Sequence, residues 1–302
     1  MNSEVKKVLF IVNKYAGGGF QPEVEGLMID ACEANDIECT IEFTQSRGHA
    51  TELAREAITK GFQYVIAVGG DGTVNEVAQG LIRSHVPMGV ISRGSGNGLA
   101  RHLGISLKIK EALTDLFNSR VLAMDTFTVN GKLSLNVSGI GFDGHIANLF
   151  GGKTKRGLAG YAKLIIQEYI QFKEFSFELS IDNQHINQKA FIVAIANSSQ
   201  YGNNARIAPA ASVCDGLLQV AILKKVPAYR ADFIYAMFTG DIEKSTFCET
   251  LTASSFRLKT PIPISYHIDG EPCGIDDSFE VKVLPSTLQV LVPHKPKHGK
   301  SV

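Results

Sequence analysis

Tyr64-Val-Ile-Ala-Val-Gly-Gly-Asp-Gly-Thr-Val-Asn-Glu-Val77 is the stretch whose reading decides the fold. Its first five residues form an apolar run short enough for a buried strand. Three glycines around one carboxylate follow, and residues 74–84 read as a helix. The same grammar extends outward in both directions. Upstream, the apolar run 8–12 stops at Asn13-Lys-Tyr-Ala-Gly-Gly-Gly19. Residues 22–35 and 49–60 then have helical spacing on either side of an alternating strand at 38–44. Downstream, a strand at 88–91 runs into Arg93-Gly-Ser-Gly-Asn-Gly98 and a helical stretch at 99–103. Strands that alternate with helices through short loops make a parallel, doubly wound α/β domain.

The texture changes near residue 125. Short β-type runs lie at 126–129, 133–137, 176–181, 190–196, 217–223, 256–258, 264–268, 279–284 and 288–292. Helical stretches interrupt them at 157–172 and 228–238. This pattern predicts an antiparallel β-sandwich or curled sheet. The division expected is therefore an α/β domain over 1–125 and a β-rich domain over 126–302, with the last strands free to return to the first domain. A chain of 302 residues is long enough for two such domains.

Composition narrows the class. The 30 basic residues balance the 30 acidic ones, which argues against a dedicated nucleic-acid binder. Five scattered cysteines without a CxxC pair fit neither a zinc site nor a disulfide framework, so a reducing cytoplasm is expected. The run at 8–12 is too short for a signal-peptide core. No stretch reaches the ~18 apolar residues of a transmembrane helix.

The chemistry concentrates in the glycine loops. Glycines let backbone approach a phosphate closely, and a helix N-terminus adds free N–H groups and partial positive charge. Asp71 in that setting suits Mg²⁺ held through water or a base acting on a hydroxyl, and Thr73 suits a phosphate oxygen. Ser95 and Asn97 are the polar groups of the second loop. Neither loop is a GxxxxGK[ST] motif or a Rossmann fingerprint.

Together, GGDGTVNEV (69–77) and GSGNGLARHLGI (94–105) resemble the catalytic domain of the diacylglycerol kinase and sphingosine kinase superfamily. The similarity runs along nearly the whole chain. Residues 13–18 stand where the family has an Asn-Pro-x-Ser/Ala-Gly loop, and Thr44 with Gly48-His49-Ala50 matches its Thr…Gly-His-Ala stretch. Residues 136–143 resemble its Asn-x-x-Gly-x-Gly-x-Asp segment. Asn197, Tyr201-Gly202, Pro209-Ala210 and Asp215-Gly216-Leu217 follow its later motif, and His267-Ile-Asp-Gly-Glu271 its terminal Asp-Gly-Glu.

The resemblance implies an ATP- and Mg²⁺-dependent lipid kinase, with an NAD kinase/phosphofructokinase-like first domain holding ATP and a β-rich domain holding lipid. Thr44, Gly69, Gly70, Asp71, Gly72, Thr73, Asn75, Gly94, Ser95 and Asn97 would form the ATP site. Glu271, within Asp269-Gly270-Glu271, would be the general base, with Asp71 the alternative from the sphingosine kinase branch; Asp269 completes the catalytic set. Asp125 matches an acidic position near the active-site Mg²⁺ network of bacterial relatives. Asp215, with the carbonyls of Ser212 and Leu217, matches a separate structural Mg²⁺ site. Phosphoryl transfer needs positioned phosphates, a charge-neutralising metal and a carboxylate near the acceptor oxygen.

Three departures stand out. Lys14 replaces the family proline, Ser92-Arg93 replaces Pro-x, and Gly98 replaces the aspartate of the bacterial Gly-Thr-Gly-Asn-Asp. The last change brings the loop nearer to sphingosine and long-chain-base kinases. The expected partner is a lipid at a membrane surface, with transient peripheral contact by a cytoplasmic protein, no nucleic acid, and a homodimer compatible with the sequence. The basic segment at 153–156 followed by the apolar side of 157–172 is one place for that contact; a helix packed on the β-sheet is the other reading. The basic tail, 295–300, is a solvated end or a second contact. Two other classes stay open: a kinase of a soluble substrate, NAD kinase-like, and a catalytically silent nucleotide- or lipid-binding regulator.

Overall fold

An apolar run without alternation must be covered on both faces, and β1 (Lys6–Val12) meets that condition, with Val8 through Val12 all buried. The structure is a computed structural model that describes residues 6–19, 21–150, 158–181, 184–227 and 229–294. The chain groups into two units, Met1–Thr126 with Pro285–Val302, and Phe127–Leu284.

In the first unit, α1 (Pro22–Glu33) follows β1, with a proline in its first turn where no intrahelical N–H bond is lost. Next come β2 (Ile37–Phe43), α2 (His49–Thr59), β3 (Tyr64–Gly69), α3 (Asp71–Leu81), β4 (Met88–Ser92), α4 (Gly98–His102) and α5 (Ile109–Phe117). The strands pair in parallel in the order β2-β1-β3-β4. The returning segment adds a further parallel neighbour, with Val290 opposite Met88. On one face, Val8, Phe10, Val12, Ile66, Val68 and Ile91 pack against Val24 and Met28 of α1 and Leu113 and Leu116 of α5. Helices α2 and α3 touch each other closely. A Cβ at Gly80 would lie 2.5 Å from Ala54 Cβ and 2.7 Å from the Thr51 carbonyl, so only glycine permits that approach. The helix expected from residue 74 starts three residues earlier, at Asp71.

The second unit begins in β5 (Ser119–Val129), which crosses from the first. It continues with β6 (Lys132–Ser134), β7 (Val137–Gly141), α6 (Phe142–Phe150), α7 (Leu158–Gln171), β8 (Phe175–Ile181), β9 (Gln184–Ala190) and β10 (Ile192–Ala196). The small hairpin β11 (Gln200–Gly202) and β12 (Ala205–Arg206) precedes β13 (Leu218–Leu223), α8 (Ala231–Thr239), β14 (Cys248–Ala253), β15 (Ser255–Ile268) and β16 (Glu271–Pro293). Antiparallel pairing joins β14-β13-β10-β7-β15 and then the first part of β16. β8 alternates buried and outward residues, and its inner set, Phe175, Phe177, Leu179 and Ile181, belongs to a core shared with Phe256, Leu258, Phe279 and Val281. Residues 256–258 and 264–268, expected as two strands, are parts of β15; 279–284 and 288–292 are likewise parts of β16. A two-residue turn, Asp269-Gly270, joins them, and both residues have positive φ (48° and 85°) as a type I′ hairpin requires.

Candidate active site

The first unit presents its glycine loops where the parallel strands end, the edge at which open α/β sheets take ligands. Gly69 closes β3, and a Cβ there would fall 2.5 Å from Thr73 Oγ1. Glycine at 69 therefore lets the first turn of α3 fold back over the strand end. Asp71, at the start of α3, spans to the second loop. Its Oδ2 accepts the Asn97 N–H (2.9 Å) and its Oδ1 the Gly98 N–H (3.1 Å). Asn97 is left-handed (φ 51°) and 7% exposed. Its side chain closes the loop on itself, with Oδ1 accepting the Gly94 N–H at 3.0 Å and Nδ2 donating to the Gly94 carbonyl at 2.8 Å. The two loops are in contact, since a Cβ on Gly94 would lie 2.8 Å from Gly70 Cα.

The loop after β1 joins this arrangement. Asn13 Nδ2 donates to Thr73 Oγ1 (3.1 Å), and Arg93 Nη2 donates to the Gly19 carbonyl (2.7 Å). Gly17 is left-handed and sits on Arg93, whose carbonyl oxygen would be 2.2 Å from an added Cβ. Arg93, a departure from the family pattern, thus binds two loops together. Thr44 is buried where β2 ends, its N–H on the Val12 carbonyl (2.9 Å). Ser95 is exposed, Gly72 and Asn75 are half-buried, and Asn75 Oδ1 accepts from Gln79 Nε2 at 2.7 Å. The residues expected at the ATP site therefore cluster in one unit.

The carboxylates expected at metal sites have visible partners. Asp125 is 2% exposed, and its Oδ1 accepts the Ser286 N–H at 2.7 Å, fastening β5 to the returning segment. Asp215 Oδ1 accepts the Leu217 N–H (3.0 Å) across a turn through left-handed Gly216. With the carbonyls of Ser212 and Leu217 it offers only hard oxygens, a donor set that fits Mg²⁺ rather than a soft metal. Among the described residues no group of three or more His, Cys, Asp or Glu side chains could hold a metal ion, so carbonyls and water would have to complete either shell.

In the second unit the Asp269-Gly270-Glu271 turn is held by distant chain. Asp269 Oδ1 accepts from Ser134 Oγ (2.7 Å) and the Asn136 N–H (3.0 Å), and Oδ2 accepts the Leu135 N–H (2.9 Å). Its carboxylate, expected among the catalytic groups, is committed to anchoring the turn. Glu271 follows it and is exposed. Beside the turn lies a group outside the expected site residues: Asp143, Tyr201 and His267, joined through Asp143 Oδ2, with His267 in the structural place beside Asp-Gly-Glu that its sequence position suggests. Each stands in a segment quoted above for its glycines or its Asp-Gly-Glu. A polar residue adjacent to such glycines was the available signal. Of the apolar side of 157–172, Ile165, Tyr169 and Phe172 are half-buried, Tyr169 donating its hydroxyl to the Val226 carbonyl and both rings packing with Phe142 and Phe191, while Ile166 and Ile170, which lie off that side, are exposed. Lys153, Lys155, Arg156 and the tail 295–300 lie outside the described residues.

Comparison with known proteins identifies the two units. Residues 7–129 match the diacylglycerol kinase catalytic domain, and residues 137–292 match the YegS C-terminal NAD kinase beta sandwich-like domain. A Salmonella arizonae protein named "probable lipid kinase YegS" is 30% identical over 264 residues, covering 85% of this chain and 87% of its own. A "probable lipid kinase YegS-like" protein of Citrobacter koseri is 29% identical with the same coverage. The fold is that of a solved structure described as a diacylglycerol kinase from Bacillus anthracis, with 22% identity, a TM-score of 0.75, and 97% and 98% of the two chains covered. The match of the α/β unit to the diacylglycerol kinase catalytic domain, followed by the matched β-sandwich-like unit, places the chain among kinases of the diacylglycerol kinase type. The chain belongs to the YegS-like lipid kinase family.

Proposed function

We propose that this protein transfers the γ-phosphate of ATP, with Mg²⁺, to a hydroxyl of a lipid, either diacylglycerol or a sphingoid long-chain base. The observation that carries the reading is the Asp71 carboxylate held by the backbone N–H groups of Asn97 and Gly98. That contact fixes two glycine loops in one geometry before any ligand arrives, which is the preorganisation that phosphoryl transfer needs.

In this reading the N–H groups at the start of α3 and along residues 94–98 receive phosphate oxygens, and Thr73 and Ser95 add hydroxyl donors. Bound Mg²⁺ supplies neutralisation of the charge on the transferring phosphoryl group. Glu271 takes the proton from the lipid hydroxyl as its oxygen bonds to the γ-phosphorus. The bond from that phosphorus to the bridging oxygen breaks, and ADP leaves. Asp71 is held between the two loops by backbone N–H groups, whereas Glu271 is exposed at the end of its turn, where a lipid hydroxyl can reach it. This difference favours Glu271 as the base and Asp71 as a group that shapes the phosphate site and lies near the metal. Gly98 supplies Asp71 with an N–H but no side chain, which supports a sphingoid base over diacylglycerol.

The test is transfer of label from γ-labelled ATP, with Mg²⁺, to micellar diacylglycerol, sphingosine, dihydrosphingosine, ceramide, phosphatidylglycerol and undecaprenol, with NAD as the soluble acceptor. Label in a sphingoid base is the expected result. Label in NAD alone would move the protein to the soluble-substrate kinases. Intact ATP binding without label in any acceptor would leave a silent regulator.

A further inference from the structure

His267 is 4% exposed, and its Nδ1 accepts the Gly270 N–H at 3.1 Å. A ring nitrogen that accepts carries no proton, so the neutral imidazole bears its hydrogen on Nε2. That N–H meets Asp143 Oδ2 at 3.2 Å. The Tyr201 hydroxyl donates to the same oxygen at 2.8 Å, and Asp143 Oδ1 accepts the Gly144 N–H at 2.8 Å. Burial, and then the charge of Asp143, push the Tyr201 hydroxyl well above a phenol's ordinary pKa, which keeps it a donor. Room for this carboxylate exists only because residue 139 is glycine; a Cβ there would lie 1.8 Å from Asp143 Oδ2.

The chain of contacts ends on one backbone group, the N–H of Gly270, in the left-handed turn that precedes Glu271. Residues 134–136 grip the same turn from the other side through Asp269. Asp-Gly is a pair that a type I′ turn prefers, so these contacts fix where the turn sits rather than force its conformation.

We propose that Tyr201, Asp143 and His267 are positioning residues that hold the Asp269-Gly270 turn and thereby fix the orientation of Glu271. No proton passes through them to substrate. Asp143 orients the imidazole, and the imidazole accepts the turn's N–H. The inference rests on Glu271 being the base of a lipid kinase, and it adds three residues that act only through it.

Two substitutions separate the roles of the ring nitrogens. His267→Asn keeps an acceptor near the Nδ1 position, facing Gly270. His267→Gln is closer in length and keeps a donor toward Asp143 but withdraws the Nδ1 acceptor. Positioning predicts that His267→Gln loses about 100-fold in kcat and His267→Asn about 10-fold, with KM for ATP unchanged in both. A residue that merely fills space would give the reverse order, because glutamine fills the site better; that order overturns the proposal. In a Glu271→Gln background neither substitution should lower the residual kcat further. A further loss as large as in the wild type would also overturn it.

Amide hydrogen exchange at Gly270 gives a readout independent of turnover: faster in His267→Gln, near wild type in His267→Asn. Exchange that responds this way in a protein that phosphorylates no lipid would sustain the grip on the turn and sink the kinase reading. Unchanged exchange and unchanged kcat in His267→Gln would sink the grip alone. Should the His267 variants fail to fold, Tyr201→Phe, which keeps the ring, carries the same test. It is expected to lower kcat about fivefold, the worth of one hydrogen bond, and to lose that effect when Glu271 is Gln. A Tyr201→Phe kcat equal to wild type would contradict the proposal.

Discussion

The glycine loops of the first unit and the Asp269-Gly270-Glu271 turn of the second solve the same problem by different means. Each holds a carboxylate next to backbone that must not move. Asp71 is held by N–H groups 26 and 27 residues away, at the end of a neighbouring strand. Asp269 and His267 are held by groups 124 to 135 residues away, from residues 134–136 and from Asp143. The first arrangement follows once two glycine loops end adjacent parallel strands. The second requires the antiparallel sheet to be assembled in register. Damage to the first should therefore abolish phosphate handling and leave folding alone, whereas damage to the second should trade activity against local order.

The largest effect should come from breaking the first arrangement. Asp71→Asn keeps one acceptor but sets an amide N–H against a backbone N–H. Turnover should fall by a factor on the order of 10³, the scale of losing a preorganised electrostatic group, while thermal unfolding stays cooperative with little change in midpoint. Near-wild-type turnover would remove Asp71 from the mechanism. Next in size is a change that weakens the first unit without touching its loops. Leu116→Ala opens a cavity against Val8, Ile66 and Leu291 and should cost about 2–5 kcal/mol of stability in denaturant unfolding, with kcat retained below the new midpoint. A loss of kcat in the still-folded variant would show that the glycine loops depend on the far face of the sheet. The smallest effect concerns the 212–217 turn. If Mg²⁺ binds there, saturating Mg²⁺ stabilises the wild type by about 2.7 kcal/mol at a hundredfold excess over Kd. Asp215→Ala should then lose that gain, with transfer little altered, whereas an equal Mg²⁺-dependent shift in both proteins would place the ion elsewhere.

The same contrast explains what sequence could and could not disclose. The strands ending at Gly69 and Ser92 were legible because a buried parallel strand and a glycine loop are both local patterns. Helix α5 has Ile109, Ala112, Leu113 and Leu116 at helical spacing, yet Ser106 and Lys108 before it offer only a weak start signal, so the sequence alone does not mark it. β15 reads as two strands in the sequence because Pro261 and Pro263 interrupt its alternation. In the structure the strand runs through them with a shift in register between Lys259 and Ile264, as prolines in strands require. Asp143, Tyr201 and His267 each stand in a motif segment, but their partnership is not legible there, since it exists only after α6, β11 and β15 have been brought together. Asp269 was legible as part of Asp-Gly-Glu, but its task was not, because the three donors that occupy it come from residues 134–136.

The measurement that tests the account most directly is single-turnover transfer from γ-labelled ATP to its lipid acceptor by Glu271→Gln, with ATP binding measured on the same preparation. The account predicts ATP affinity within about twofold of wild type, because the glycine loops are untouched, and a transfer rate lower by about 10²–10⁴-fold, the contribution of a general base. Transfer at the wild-type rate would contradict the assignment of Glu271 and with it the division of labour between the two regions.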